Sequence, residues 1–184
     1  MPQLVTNTAK LTSKASRSKQ SLATALYFEP EPYTAMNPAT LVLVVEVRGL
    51  GDEMKNIIGI MQDCFGEKYY QQSSSSEGEV NHYELFEGAI RDCNVALNQY
   101  ARSSSGSWVG KVNAVAAALC QSELLITHAG SGQASLYRGN SVTDITQPEE
   151  AAEPASEIFS EIISGPHKAG DKLLIATPAL MHHF

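Results

Sequence analysis

The chain has 184 residues, of which 43% are hydrophobic and 18% are charged, a composition that fits one globular domain with a sizeable core. Its net charge of −7 argues against nonspecific nucleic-acid binding, which depends on clustered lysine and arginine. No apolar run approaches the roughly 20 residues that a membrane-spanning helix needs, and the polar N-terminus lacks the apolar core of a secretory signal.

Three cysteines stand far apart and match no zinc-binding spacing: Cys64, Cys93 and Cys120. Each falls on a face that is predicted to be buried. We therefore expect them to be small core residues in a reducing compartment, which favours a cytoplasmic protein. The composition leaves the oligomeric state open.

The first half of the chain predicts two strands followed by two helices. Runs of apolar residues predict strands at 21–28 and 39–47, the second apolar enough to be buried on both faces. Apolar residues at helical spacing predict amphipathic helices at 52–65 and 83–102.

The second half is rich in short strands joined by tight turns. The predicted strands are 111–119, 124–128, 133–137 and 141–145, and the ordered pattern resumes at 159–163 and 172–176. Strands, two helices and then a run of strands are typical of a layered α+β domain in which helices cover antiparallel sheets.

Polar segments mark the limits of this domain and its loops. Residues 1–14 are expected to form a flexible arm ahead of a domain at 15–184. Within the domain, the Ser-rich stretch at about 71–81 and the acidic Pro/Ala stretch at 147–157 are too polar to pack. Both are predicted to be mobile loops.

Two of the strand segments resemble parts of a known family. Residues 124–140 read LLITHAGSGQASLYRGN and residues 170–180 read GDKLLIATPAL. Both are similar to stretches of the PPM family of Mg- or Mn-dependent serine/threonine phosphatases, in which the first carries Gly-Asp-Ser and the second ends in Thr-Asp-Gly. The order of the other elements resembles that family from about residue 15 to the end of the chain. The resemblance implies an α-β-β-α sandwich of two antiparallel sheets flanked by helices.

The residues that bind metal in that family are replaced here. After the strand at 39–47 the chain reads RGLG from Arg48, where the family has Asp-Gly and the Asp bridges two metals. Pro178 stands in place of the metal-binding Asp of the second segment. Because hard divalent cations need several oxygen ligands, the resemblance implies an inactive pseudophosphatase without a metal cofactor. Arg48, Gly49 and Pro178 then mark the degenerate metal site.

Two arginines are candidates for binding an anion or a partner protein. Arg17 lies at the spacing of the family's phosphate-contacting Arg, and Arg48 replaces a bridging carboxylate. An arginine on the floor of a cleft needs a partner. We expect Asp52, Asp171 or a bound anion to pair with Arg48. Glu46 is not expected to do so, because it lies within the strand.

Other residues offer a weaker route to a metal site. Asp52 follows the glycine-rich turn and is the best surviving candidate for one metal contact. His128 at a strand end and the adjacent His182 and His183 lack the arrangement that chelation needs, and Asp171 is expected to stabilise the turn at Gly170.

Two functions from different classes remain. The first is a noncatalytic binding or regulatory domain that docks a protein or a phosphorylated ligand. The alternative is a divergent Mg- or Mn-dependent serine/threonine phosphatase. The chain stops at Phe184, inside what would be the family's next helix, so we expect either a C-terminally truncated domain or one that closes differently.

Overall fold

A computed structural model describes residues 9, 21–29, 39–49, 51–74, 80–120, 122–146 and 157–181. The strands in these ranges are β1 (Ser21–Phe28), β2 (Thr40–Arg48), β3 (Val112–Leu119), β4 (Glu123–Ala129), β5 (Gln133–Arg138), β6 (Ser141–Asp144), β7 (Ile163–Pro166) and β8 (Lys172–Ala176). The helices are α1 (Gly51–Gln62), a π-helical segment (Asp63–Lys68), α2 (Tyr69–Ser74), α3 (His82–Ser103) and the short α4 (Pro178–Met181).

The strands form two antiparallel sheets that pack face to face. The larger sheet has the order β1-β2-β3-β4-β7, and the smaller has the order β6-β5-β8. Between them, Val115 and Ile126 of the larger sheet form a core cluster with Ala134 of the smaller sheet. The predicted α+β fold of two antiparallel sheets flanked by helices is confirmed.

The helices bury the other face of the larger sheet. Side chains alternate along a strand, so Ala114 and Ala116 of β3 face the helices while Val115 faces the smaller sheet. The π-helical segment contributes Phe65, whose ring centroid lies 5.9 Å from that of Phe86 in α3 and 5.5 Å from that of Phe159. The main core therefore lies between the larger sheet and the helical layer.

The helix predicted at 52–65 is wrong at its C-terminal end. After α1 the chain continues through the π-helical segment into α2, which ends at Ser74. The buried ring of Tyr69 fixes the start of α2 in the core. The prediction of a loop at 71–81 is therefore wrong for residues 71–74, while residues 75–79 lie outside the described ranges.

Residues 159–163 are ordered as predicted, but the strand begins only at Ile163. The residues before it are fixed by Asn94 of α3. Its amide nitrogen donates to the carbonyl of Phe159 (2.8 Å), and its amide oxygen accepts from the backbone nitrogens of Ile158 and Phe159 (both 3.1 Å). The predicted arm at 1–14, apart from residue 9, and the predicted loop at 147–157, apart from residue 157, lie outside the described residues.

The three cysteines are free and buried, as predicted. Burial raises the pKa of the Cys120 thiol to about 12, which suits a core residue rather than a reactive one. In the part of the chain that the structure describes, no helix is both long and apolar enough to cross a membrane.

Candidate functional site

The site lies at the end of the larger sheet where β2 stops. Arg48 is the last residue of β2 and lies opposite Ser21 of β1. On its other side, the Arg48 backbone nitrogen donates to the carbonyl of Lys111, just before β3 (3.0 Å). Residues opposite one another on neighbouring antiparallel strands share a face of the sheet. Ser21, Arg48 and Lys111 therefore form a row across the end of three strands.

Arg48 is paired with Glu46, two residues earlier on the same strand. Arg48 Nε lies 3.1 Å from Glu46 Oε1, and the Arg48 side chain is 54% exposed while that of Glu46 is 2% exposed. The expectation that Asp52 or Asp171 would pair with Arg48 in preference to Glu46 is therefore wrong, whereas a bound anion at Arg48 stays a prediction. Residues i and i+2 of a strand point to the same face, and both side chains are long enough to meet.

The next row of the same face is polar as well. Asn113 of β3 lies opposite Glu46, and its amide oxygen accepts a hydrogen bond from the backbone nitrogen of Ser131 (2.9 Å). This bond holds the turn between β4 and β5, in which Gly130 adopts a φ of 58°. Glycine populates this left-handed region without the steric penalty that other residues incur. The Gly130-Ser131-Gly132 turn is thus fixed beside the row that contains Glu46.

The second segment of the resemblance reaches the same end of the sandwich. Ala176, the last residue of β8, lies opposite Gln133, which directly follows the turn. Thr177 is buried, and its carbonyl accepts from the backbone nitrogen of Leu180 as α4 begins at the partly buried Pro178. The structure therefore brings together the two segments of the resemblance, although they are far apart in sequence.

The predicted carboxylates lie elsewhere. The side chain of Asp52 is 97% exposed and pairs with Lys55 of the same helix at 3.5 Å. Asp171 accepts from the backbone nitrogen of Lys168 (2.8 Å), which stabilises the turn at Gly170 as expected, and it also receives two hydrogen bonds from Arg138. The pKa of the Asp171 carboxyl is lowered to about 2. The hydrogen bonds from the Arg138 guanidinium make the largest contribution, and the hydrogen bond from the Lys168 backbone nitrogen makes the next largest.

These residues do not fit a divalent metal. Within the described ranges, no three His, Cys, Asp or Glu side chains are grouped so that they could hold a metal ion. At the strand end itself, the buried carboxylate of Glu46 is already bound to a guanidinium. His128 is buried within the sheet opposite Val115, whereas Arg17, His182 and His183 lie outside the described residues.

Sequence reasoning set Glu46 aside as the partner of Arg48 and did not identify Lys111 as a member of this site. The signal for Glu46 was present, since strand alternation places it on the face of Arg48. The signal for Lys111 required the register between β2 and β3, which the chain's pattern alone does not give.

The fold is that of bacterial serine/threonine phosphatases. The chain aligns with the Streptococcus agalactiae serine/threonine phosphatase over 93% of its own length and 78% of that chain, with a TM-score of 0.62 and 13% identity. A bacterial serine phosphatase bearing an R161E mutation gives a TM-score of 0.63 at 13% identity, over 93% of this chain and 75% of that one. The catalytic domain of PstP in complex with two manganese ions aligns with a TM-score of 0.55 at 13% identity, over 85% of this chain and 76% of that one. No family model and no curated protein matches the chain.

Proposed function

We propose that the chain is a noncatalytic, phosphatase-like binding domain, a pseudophosphatase that recognises a phosphorylated ligand or protein partner. The observation that carries the proposal is the Arg48–Glu46 ion pair at the end of β2. It puts a permanent cation, already paired with the nearest carboxylate, at a position where a dinuclear metal site would need an anion.

The electrostatics of this end disfavour a metal-dependent phosphatase. Such enzymes depend on metal ions to supply a nucleophilic water and to stabilise charge on the phosphoryl group. PstP has been solved with two manganese ions. Among the described residues of this chain, a cation entering beside Arg48 would meet like charge and a single nearby buried carboxylate, because Asp52 is turned to solvent.

The same arrangement suits an anion. The hydrogen bond to Glu46 uses Arg48 Nε, and the Arg48 side chain is more than half exposed, so a second acceptor can approach the terminal nitrogens of the guanidinium. Ser21 and Lys111 flank it in the row across the strand ends. A guanidinium held in place by a carboxylate is well suited to bind phosphate oxygens through charge-assisted hydrogen bonds. Arg17, outside the described residues, is proposed as a second contact.

Calorimetric titration with inorganic phosphate, a phosphoserine peptide and MnCl₂ tests this proposal. We expect the wild type to bind phosphate or the phosphopeptide and to show no saturable Mn²⁺ binding. The Arg48→Ala variant should lose anion binding, whereas Arg102→Ala, which removes an exposed arginine from the end of α3, should not.

The Arg48→Ala change also leaves Glu46 without its ion pair, so a second variant separates binding from folding. The double variant Glu46→Gln/Arg48→Leu removes both charges and should restore the melting temperature without restoring anion binding. Mn²⁺-dependent phosphoester hydrolysis by the wild type would instead establish the alternative, a divergent phosphatase. Equal anion binding by wild type and Arg48→Ala would contradict the proposal.

A cytoplasmic location stays a prediction. The three buried free cysteines support it, because thiols persist in a reducing compartment.

A further inference from the structure

The loop between α3 and β3 is tied to the start of α1 by one carboxylate. We call this loop, residues 104–111, the serine loop. Glu53, half-buried in the first turn of α1, accepts through Oε1 from the Ser105 hydroxyl (2.7 Å) and backbone nitrogen (3.3 Å). Its Oε2 accepts from the Ser107 hydroxyl (2.9 Å). Both oxygens of this carboxylate therefore hold the same loop.

Trp108 anchors the serine loop to the core. It is the single tryptophan of the chain, it is 1% exposed, and its ring stacks on that of Tyr100 in α3 with 6.1 Å between the centroids. Two turns surround it, because the Val109 nitrogen donates to the Gly106 carbonyl (3.1 Å) and the Lys111 nitrogen donates to the Trp108 carbonyl (2.9 Å). The backbone position of Lys111 is thus linked directly to that of the tryptophan.

The serine loop borders the candidate site on two sides. The carbonyl of Lys111 accepts from the Arg48 nitrogen, so Lys111 is held by the loop at its own nitrogen and by β2 at its carbonyl. On β2, a Cβ atom at Gly49, which follows Arg48, would lie 3.8 Å from Trp108 Cβ. The exposed Lys111 forms no ion pair within the described ranges. It can therefore offer an anion a second charged donor beside Arg48.

Glu53 influences this lysine in two ways that act in opposite directions. The Ser105 hydroxyl, followed by that of Ser107, lowers the pKa of the Glu53 carboxyl, and the charge of Lys111 acts in the same direction. The Glu53 charge therefore lies close enough to Lys111 to compete with a bound anion. Its hydrogen bonds, in contrast, hold the loop from which Lys111 extends.

We propose that Glu53 is a positioning residue for the anion site: it holds the serine loop against α1, and the loop in turn fixes Lys111 beside Arg48. The inference rests on the proposed anion-binding function. Glu53 acts here through its hydrogen bonds, since its negative charge opposes anion binding. A side chain of the same shape without the charge should therefore serve as well.

Acrylamide quenching of the Trp108 fluorescence tests the hold on the loop without any ligand. Glu53→Ala removes the acceptor, so we expect the tryptophan to become more accessible and the quenching constant to rise at least roughly twofold. Glu53→Gln should behave like the wild type, because its amide oxygen still accepts from Ser105 and the Ser107 hydroxyl can accept from its amide nitrogen. Glu84→Ala is the matched control and should change nothing, because Glu84 occupies the same position in the first turn of α3.

Calorimetric titration with inorganic phosphate tests the coupling to the site. Glu53→Ala and Lys111→Ala should each raise the phosphate Kd by about tenfold, the size expected when a hydrogen bond to a charged group is lost. The double variant should bind no more weakly than Lys111→Ala alone, because Glu53 acts through Lys111. Glu53→Gln should bind at least as tightly as the wild type. If Glu53→Ala does not fold, Ser105→Ala/Ser107→Ala removes the two hydroxyl donors and takes its place in both experiments.

The two experiments separate this inference from the proposed function. A wild type that binds no phosphate and no phosphopeptide would overturn the proposed function, and the positioning role with it. Phosphate binding by the wild type would leave the proposed function standing while the positioning role alone fails in any of three results. These are unchanged quenching in Glu53→Ala, a Glu53→Gln variant as weak as Glu53→Ala, and fully additive losses in the double variant.

Discussion

The five-stranded sheet is covered on both faces: α1, the π-helical segment and α3 bury one face, and the smaller sheet buries part of the other. The three-stranded sheet, in contrast, is buried on its inner face and exposed on its outer face. The main core runs through the helical layer and includes Phe65, Phe86 and Trp108. The smaller sheet is attached by a modest apolar cluster and by polar links such as Arg138, which bonds both the Pro166 carbonyl of β7 and Asp171. The two sheets should therefore differ in what stabilises them.

The largest expected effect comes from the helical layer. Phe65→Ala removes a ring that is 1% exposed and contacts two other rings, so unfolding free energy should fall by about 3–5 kcal/mol. The matched change Leu173→Ala, in the partly buried inner face of the smaller sheet, should cost clearly less. Urea denaturation of both variants measures the difference. Equal losses would show that the two sheets contribute alike.

The junction between the sheets is the next test. A Cβ atom on Gly132 would lie 2.3 Å from the Ala114 carbonyl oxygen and 2.8 Å from Val115 Cγ2. Gly132→Ala should therefore destabilise the domain by about 1–3 kcal/mol, because backbone atoms of the larger sheet must move. Gly59→Ala is the control. A Cβ at Gly59 in α1 meets nothing within 4 Å, so that variant should gain about 0.5–1 kcal/mol in the same denaturation experiment.

The smallest effect is pH-dependent and belongs to the smaller sheet. Arg138 lowers the pKa of Asp171 from 3.8 to about 2, so the stabilisation is present above about pH 4 and is lost as pH falls towards about 2. Asp171→Asn should lower the melting temperature at neutral pH, and the difference from wild type should shrink through this window. Asp52→Asn, which changes an almost fully exposed carboxyl, should leave the melting temperature nearly constant. A constant deficit of Asp171→Asn at all pH values would contradict the assignment.

Most elements of the fold could be predicted because their apolar residues recur at the spacing of a strand or of a helix. The limits of β1 were predicted to the residue, and those of β2 and α3 to within a residue. The π-helical segment could not be predicted, because apolar residues such as Cys64 and Phe65 also fit an ordinary helical stripe. The polar end of α2 read as a loop, since its anchor is Tyr69 rather than any residue in the Ser-rich run.

The position of Arg48 at a strand end was predicted from the sequence, but the residue that pairs with it was not. Arg48 does end the strand that leads to the site, as the RGLG run implied. Its partner was misassigned, because Glu46 was treated as too deep in the strand to reach it, although a buried carboxylate and a half-exposed guanidinium can pair along one face. The contribution of Lys111 and Asn113 depends on strand register, which only the folded chain shows.

The bonds that hold Thr146 and Asn94 have a consequence for how this domain tolerates insertions. Thr146 Oγ1 accepts from the Ala134 nitrogen (2.8 Å) and donates to the Gly132 carbonyl (3.2 Å), while Asn94 fixes the chain where it resumes at Ile158 and Phe159. The connection between them enters and leaves the fold at two points that are anchored independently. For a flexible loop held between two fixed points, each doubling of its length costs only about 0.6 kcal/mol in loop-closure entropy. A peptide tag or a small domain grafted there would leave the two sheets in register.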